Sequence, residues 1–166
     1  MTDMKNIRWN FDETTGTLTI GGQGRMPIGG LRERLPWTGL VNDIRRVVVE
    51  DGVENIAAFA FTGCKNLKDV ELAGVKSIGG GAFMGCTSLA SVTLPATVEI
   101  VQPLAFAKSG LIAVEIPESV KLLSDNAFEK CGDLTYLMYT GTAGQWAKLN
   151  SSKSACPEQA SVYCAA

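Results

Sequence analysis

Residues 78–89 read Ile-Gly-Gly-Gly-Ala-Phe-Met-Gly-Cys-Thr-Ser-Leu, and the chain repeats the outline of this phrase four times. Its fixed centre is Ala60-Phe61, Ala82-Phe83, Ala105-Phe106 and Ala127-Phe128. The phenylalanines stand 22, 23 and 22 residues apart. A fixed period of this length marks a stack of repeats, because each unit is too small to bury its own apolar face and must cover its neighbour's.

Reading outward from the Ala-Phe pair, other columns keep the same period. A first strand position runs Val47, Val70, Val92, Val114, Leu137, and two residues on come Val49, Leu72, Leu94, Ile116, Tyr139. A second apolar pair follows: Val53 with Ile56, Val75 with Ile78, Val98 with Val101, Val120 with Leu123. A small residue follows each Phe (Cys64, Cys86, Ser109, Cys131), and each unit closes on Leu67, Leu89, Leu111 or Leu134. Repeat two is one residue short between Leu72 and Val75, and repeat three is one short between Phe106 and Val114. Both gaps fall between core columns, where a corner shortens without displacing a buried side chain.

Within a unit, Val70 and Leu72 alternate with Asp69 and Glu71, the period of two that a half-buried strand requires. Pro95 and Pro117 follow their strands and remove a ladder donor. The glycines after Ile78 suit a close bend, and Ala-Phe-Met-Gly-Cys has room for one helical or 3₁₀ turn. The expected fold is therefore a right-handed solenoid of four to five coils of 22–23 residues, with strands on one side and short helical or 3₁₀ turns on the convex side. Its ends need covers. Trp9 and Phe11, a turn at Glu13-Thr14-Thr15-Gly16, then Leu18 and Ile20 predict an N-terminal β-hairpin. Trp146 and Leu149 predict a short helical plug, with Ala160–Tyr163 as a last strand. The organisation expected is a single domain over 1–166: a hairpin cap and lead-in loop over 7–43, repeats over 44–135 and a C-terminal cap over 136–166.

Composition fits one packed domain of 166 residues, with 46% hydrophobic and 19% charged residues. No apolar run approaches 18 residues, so membrane insertion is not expected. Met1-Thr2-Asp3-Met4-Lys5 is not followed by an apolar stretch, so no leader is expected in this chain.

At these columns the chain resembles a leucine-rich repeat protein of the BspA type, close to the 23-residue treponemal class. Repeats of that family read roughly Leu-x-x-Val-x-Ile-Pro-x-x-Val-x-x-Ile-Gly-x-x-Ala-Phe-x-x-Cys, and residues 89–106 and 111–131 carry most of the pattern. Trp9-Asn10-Phe11-Asp12 through Leu18-Thr19-Ile20 resembles the family's leading hairpin. Pro36-Trp37 resembles its approach to repeat one, and Tyr139-Thr140-Gly141-Thr142 with Gln145-Trp146 its closing segment. Departures are Ala57-Ala58 in repeat one, the missing proline in repeat two, and Gln102-Pro103 and Ser109 in repeat three. The resemblance implies a secreted or cell-surface protein of adhesin-like habit, a cytoplasmic place remaining open. It carries no fixed set of functional residues.

The chain has no histidine, which removes every His-based triad, general base and zinc site. Of five cysteines, Cys64, Cys86 and Cys131 share one column. They lack Cys-x-x-Cys spacing and read as small buried side chains rather than metal ligands. Cys156 and Cys164 lie together in the C-terminal cap and are open to bridging in an oxidising compartment. Gly21-Gly22-Gln23-Gly24 lacks the Lys-Ser/Thr of a phosphate loop and reads as a hairpin exit. No cofactor is expected.

The face expected to act is the outward side of the strand ladder, concave in such solenoids. Its central column is Val48, Glu71, Thr93, Glu115 and Met138. Its flanking column is Arg46, Asp69, Ser91, Ala113 and Tyr136. With a net charge of −2 and no Lys/Arg cluster on this face, nucleic acid is not an expected partner. The expected function is a non-enzymatic protein- or glycan-binding module acting as a monomer or weak oligomer. The alternatives are a structural segment of a larger surface protein and, more remotely, a hydrolase working with carboxylates alone. The last needs two opposed carboxylates, whereas Glu71 and Glu115 should lie parallel on one ladder, about 10 Å apart at the spacing of successive strands.

Overall fold

The computed structural model describes residues 6–27, 34–150 and 155–166. The Met1–Lys5 stretch read above for a leader lies outside them, as do residues 28–33 and 151–154 of the two expected caps. A hairpin opens the fold: β1 (Ile7–Asp12) and β2 (Thr17–Gly22) pair antiparallel. The turn between them is tied by the Asp12 carboxylate, which accepts from the Thr14 amide and the Thr15 hydroxyl, both at 2.9 Å. Those two bonds, the hydroxyl first, hold the Asp12 carboxyl below its usual pKa.

Each of the next four coils contributes one long and one short strand, and a fifth long strand follows them. The long strands are β3 (Arg46–Val49), β5 (Asp69–Leu72), β7 (Ser91–Thr93), β9 (Ala113–Ile116) and β11 (Tyr136–Thr142). The short ones are β4 (Asn55–Ile56), β6 (Ser77–Ile78), β8 (Ile100–Val101) and β10 (Leu122–Leu123). Pairing between coils is parallel and keeps the sequence columns: Val47 faces Val70, Val92 faces Val114, and Ile78 faces Val101. A seven-residue helix, α1 (Ala143–Leu149), and a last strand, β12 (Ser161–Ala165), parallel to β11, close the far end. Trp146 and Leu149 of α1 are half-buried against the core, as a plug requires.

On the third side the chain bends by 3₁₀-type turns without building a helix. Successive amides alternate between two kinds of partner. Ala60, Thr62 and Cys64 donate three residues back, to Ala57, Phe59 and Phe61. Phe59, Phe61 and Gly63 donate instead to Gly80, Ala82 and Met84 of the next coil. The bend is thus both a chain of turns and a ladder between coils, which satisfies its backbone groups in the absence of a helix. Gly79 is required here by contact: a Cβ would stand 2.6 Å from the Ala58 nitrogen and the Ile56 carbonyl oxygen of the preceding coil.

The core is a single row. Phe61, Phe83, Phe106 and Phe128 stack with centroids 5.2, 5.2 and 5.6 Å apart, all at most 1% exposed. Trp37 extends the row by one, stacked 6.1 Å from Phe61, with its indole N–H donating to the Ala60 carbonyl at 3.0 Å. It stands 24 residues before Phe61 and so occupies the Phe column of an earlier coil. Likewise β2 pairs parallel with β3, Leu18 facing Val47 and Ile20 facing Val49. The second hairpin strand is therefore the first winding of the solenoid as well as part of its lid.

Candidate functional site

The alternation within each strand sends one set of side chains into the row just described and the other to solvent. All nine residues nominated from the sequence lie on the solvent set of the long strands. The structure divides them. Arg46, Asp69, Glu71, Ser91 and Thr93 line a cleft of about 340 Å³. Val48 and Glu115 are half-buried on the same face, and Tyr136 and Met138, at 53% and 54% exposure, stand toward its C-terminal end. Both remain more than half exposed although Tyr136 also packs against Tyr163 of the closing strand β12.

The cleft exists because the long-strand ladder breaks. Hydrogen-bonded order runs β1-β2-β3-β5, then resumes as β7-β9-β11-β12, with no ladder joining β5 to β7. The break coincides with the trimmed corner of repeat two, where Leu72 and Val75 are three residues apart and every other repeat has four. Val70 shows the consequence. Its column mates Val47, Val92, Val114 and Leu137 are at most 4% exposed, whereas Val70 is half-buried. Val70 and Val92 form the cleft's apolar floor under a polar rim. Sequence reasoning placed Val70 wholly in the core. The only signal of this in the sequence is the shorter corner between Leu72 and Val75.

Charge on this face is unevenly satisfied. The Arg46 guanidinium donates to the Glu71 carboxylate in an ion pair whose members are about half exposed, so it adds little stability. Among the described residues, neither the Asp69 nor the Glu115 carboxylate has a hydrogen-bond or ion-pair partner.

The cysteine column is built into the core. Cys86 donates its thiol to the Phe61 carbonyl at 3.2 Å and Cys131 to the Phe106 carbonyl at 3.0 Å, and Ser109 continues the column 3.3 Å from the Cys131 sulfur. Burial pushes the Cys64 thiol up to about 12 and raises Cys86 and Cys131 as well. These are neutral packing groups, not thiolates. Cys156 and Cys164, open to bridging on sequence grounds, are also free thiols in this structure. No group of three His, Cys, Asp or Glu among the described residues is placed to hold a metal ion. Gly21 and Gly22 finish β2, and Gly24 bridges to Val53 as the exit from the hairpin. No helix among the described residues is long and apolar enough to cross a membrane.

Comparison with known proteins agrees with this geometry. Residues 41–148 match the BspA type leucine rich repeat region in six copies. No curated protein matches the chain. Among solved structures, a leucine-rich repeat protein of Eubacterium ventriosum superposes with a TM-score of 0.64 at 24% identity over 81% of this chain and 42% of its own. A leucine rich cell surface protein of Faecalibacterium prausnitzii gives 0.64 at 24% identity, over 86% of this chain and 40% of that one. The T. pallidum leucine rich repeat protein gives 0.59 at 25% identity, covering 82% and 70%. The chain thus spans less than half the length of the first two. The Ala-Phe columns, the parallel coils and the matched repeats together place this chain in the BspA-type leucine-rich repeat family.

Proposed function

We propose that the chain is a non-enzymatic binding module that presents its long-strand face to a protein or glycan at a cell surface. One observation carries the reading: the ladder opens at β5/β7 into a cleft with a valine floor and a rim of five polar side chains that the sequence had already nominated. A surface fully paired and flat offers only side-chain tips. Here a partner also gains a concavity and an apolar floor, the features that small, specific sites share. Glu71 and Glu115 stand in one column two coils apart, with Asp69 in the column beside it, an arrangement suited to recognition along the solenoid and not to opposed acid and base. The surface location is supported by the relative from F. prausnitzii, itself described as a cell surface protein.

The test replaces Glu71, Thr93 and Glu115 together with Ala and measures binding on a glycan array and on a panel of immobilised extracellular matrix proteins. Loss of the parent's binding with a nearly unchanged melting temperature is expected. Binding kept by the triple variant moves the site off this face.

A second reading, a structural segment of a longer surface protein, has its own support. The inward column ends at Val162 and Cys164 of β12, both only half-buried, as though another coil could cover them. Under that reading the protein binds nothing on either panel.

A further inference from the structure

We infer that the C-terminal end of the strand face is a seat for an arginine or lysine side chain of an extended, basic protein segment. The inference rests on the strand face being the binding surface, and it names the partner's chemistry.

Tyr136, Met138 and Tyr163 are each more than half exposed and adjoin one another. The register of β11 and β12 sets Met138 beside Tyr163 and Tyr136 beside Ser161. The two tyrosine rings stack with centroids 6.4 Å apart and planes 25° from parallel. Both are carried on paired strands, so the ring faces are presented rigidly and lose little freedom when covered. Exposed aromatic and Met side chains grouped in this way mark contact surfaces.

Charge decides what they contact. Glu115 is the register partner of Met138, so its carboxylate stands one coil from Tyr136 and two from Tyr163, and among the described residues it has no partner. From β3 to β12 the two outward columns hold Asp69, Glu71 and Glu115 against a single cation, Arg46, which already pairs with Glu71. Ring faces attract cations through their quadrupole, and a free carboxylate beside them adds a charge-assisted partner. Neutral sugars also stack on tyrosines but leave Asp69 and Glu115 unanswered, and anionic partners are repelled. Asp69 lies three coils before Tyr136 in the same column, about 14 Å away at the strand spacing, which roughly four residues of extended chain would span. A segment with two cations four residues apart fits both ends.

The probe is a fluorescein-labelled peptide, Ser-Arg-Ser-Ser-Ser-Arg-Ser, followed by anisotropy at low and physiological salt. The same peptide with Glu for Arg, and a neutral cellohexaose competitor, serve as the other arms. The arginine peptide is expected to bind, more weakly as salt rises, and the Glu peptide not to bind. Glu115→Gln and Tyr163→Ala should each weaken it roughly two- to fivefold or more, the scale of one exposed cation–π contact. Tyr163→Phe should keep the affinity, and Glu13→Gln in the hairpin turn should change nothing. Thermal melts confirm that each variant is folded. Equal affinity across these variants, or no binding of the arginine peptide, overturns the inference. If cellohexaose alone binds and Tyr163→Ala abolishes it, the cation seat falls while the binding face stands. If the Glu71/Thr93/Glu115 triple variant also leaves every partner bound, the face itself falls.

Discussion

The residue that matters most to stability is the repeated phenylalanine. Phe83 is fully buried between Phe61 and Phe106, each 5.2 Å away, so no solvent or flexible neighbour can fill the space it leaves. Phe83→Ala should cost about 3–5 kcal/mol, read from denaturant melts. A parent-like melt would mean that Phe83 is not interior. The turn residues behave differently. Two positions in each of the first three bends and one in the fourth take left-handed backbone, and glycine fills only some of them: Gly63 and Gly85 share one column with Lys108 (φ 57°) and Lys130 (φ 59°). A side chain there costs about 1–2 kcal/mol, of which glycine gives back part by its looser unfolded state. Lys130→Gly should therefore stabilise the fold by about 0.5–1 kcal/mol, visible as a raised melting temperature. These columns were invisible in the sequence because φ belongs to the bend and lysine carries no mark of it. The Phe and Leu columns were visible because burial selects the same residue type at every turn.

At the scale of elements, each coil is held by means that differ from side to side. The long strands use backbone ladders and alternating burial. The bends use amides that alternate between turn and neighbour. Along one edge, Glu54, Lys76, Glu99 and Lys121 follow one another coil by coil, with ion pairs of 3.6 Å (Lys76–Glu54) and 2.9 Å (Lys121–Glu99). All four side chains are well exposed, so their contribution is register more than stability. The C-terminal helix α1 is the element that depends most on a single cap. Thr142 accepts from the Gln145 amide, and Gln145 reaches back to the Thr142 amide at 2.8 Å, a complete capping box. Thr142→Ala should cost about 1 kcal/mol and loosen α1 selectively, seen as faster amide exchange over residues 143–149 than in β9. The plug was legible from Trp146 and Leu149, whereas the conversion of β2 into a first coil was not. A hairpin strand and a solenoid strand share the same alternation, and only its partner distinguishes them.

At the scale of the molecule, a solenoid is close to one-dimensional, and a fault between two coils is felt along its length. Here the fault is on one side only. The long-strand ladder opens between β5 and β7, while the short-strand ladder β4-β6-β8-β10 and the Phe61–Phe83–Phe106 stack run through unbroken. The chain therefore stays one column with a cleft in its strand face. Hydrogen exchange by mass spectrometry should find β5 and β7 less protected than β3 and β9. Equal protection across all four would mean that the ladder is closed in solution and that the cleft is not a standing feature.

By itself the sequence determined the repeat, its period, the inward columns and the outward columns of the strand face, since each follows from which residues must leave water and how often. It also marked Arg46, Asp69, Glu71, Ser91 and Thr93 as outward. Only the tertiary structure decided that those five surround a cleft, that Val70 is part of its floor, that Trp37 begins the aromatic row and that Tyr136 meets Tyr163. Each of these depends on the fit between coils, and a column pattern records what a residue buries without recording how closely the next coil approaches.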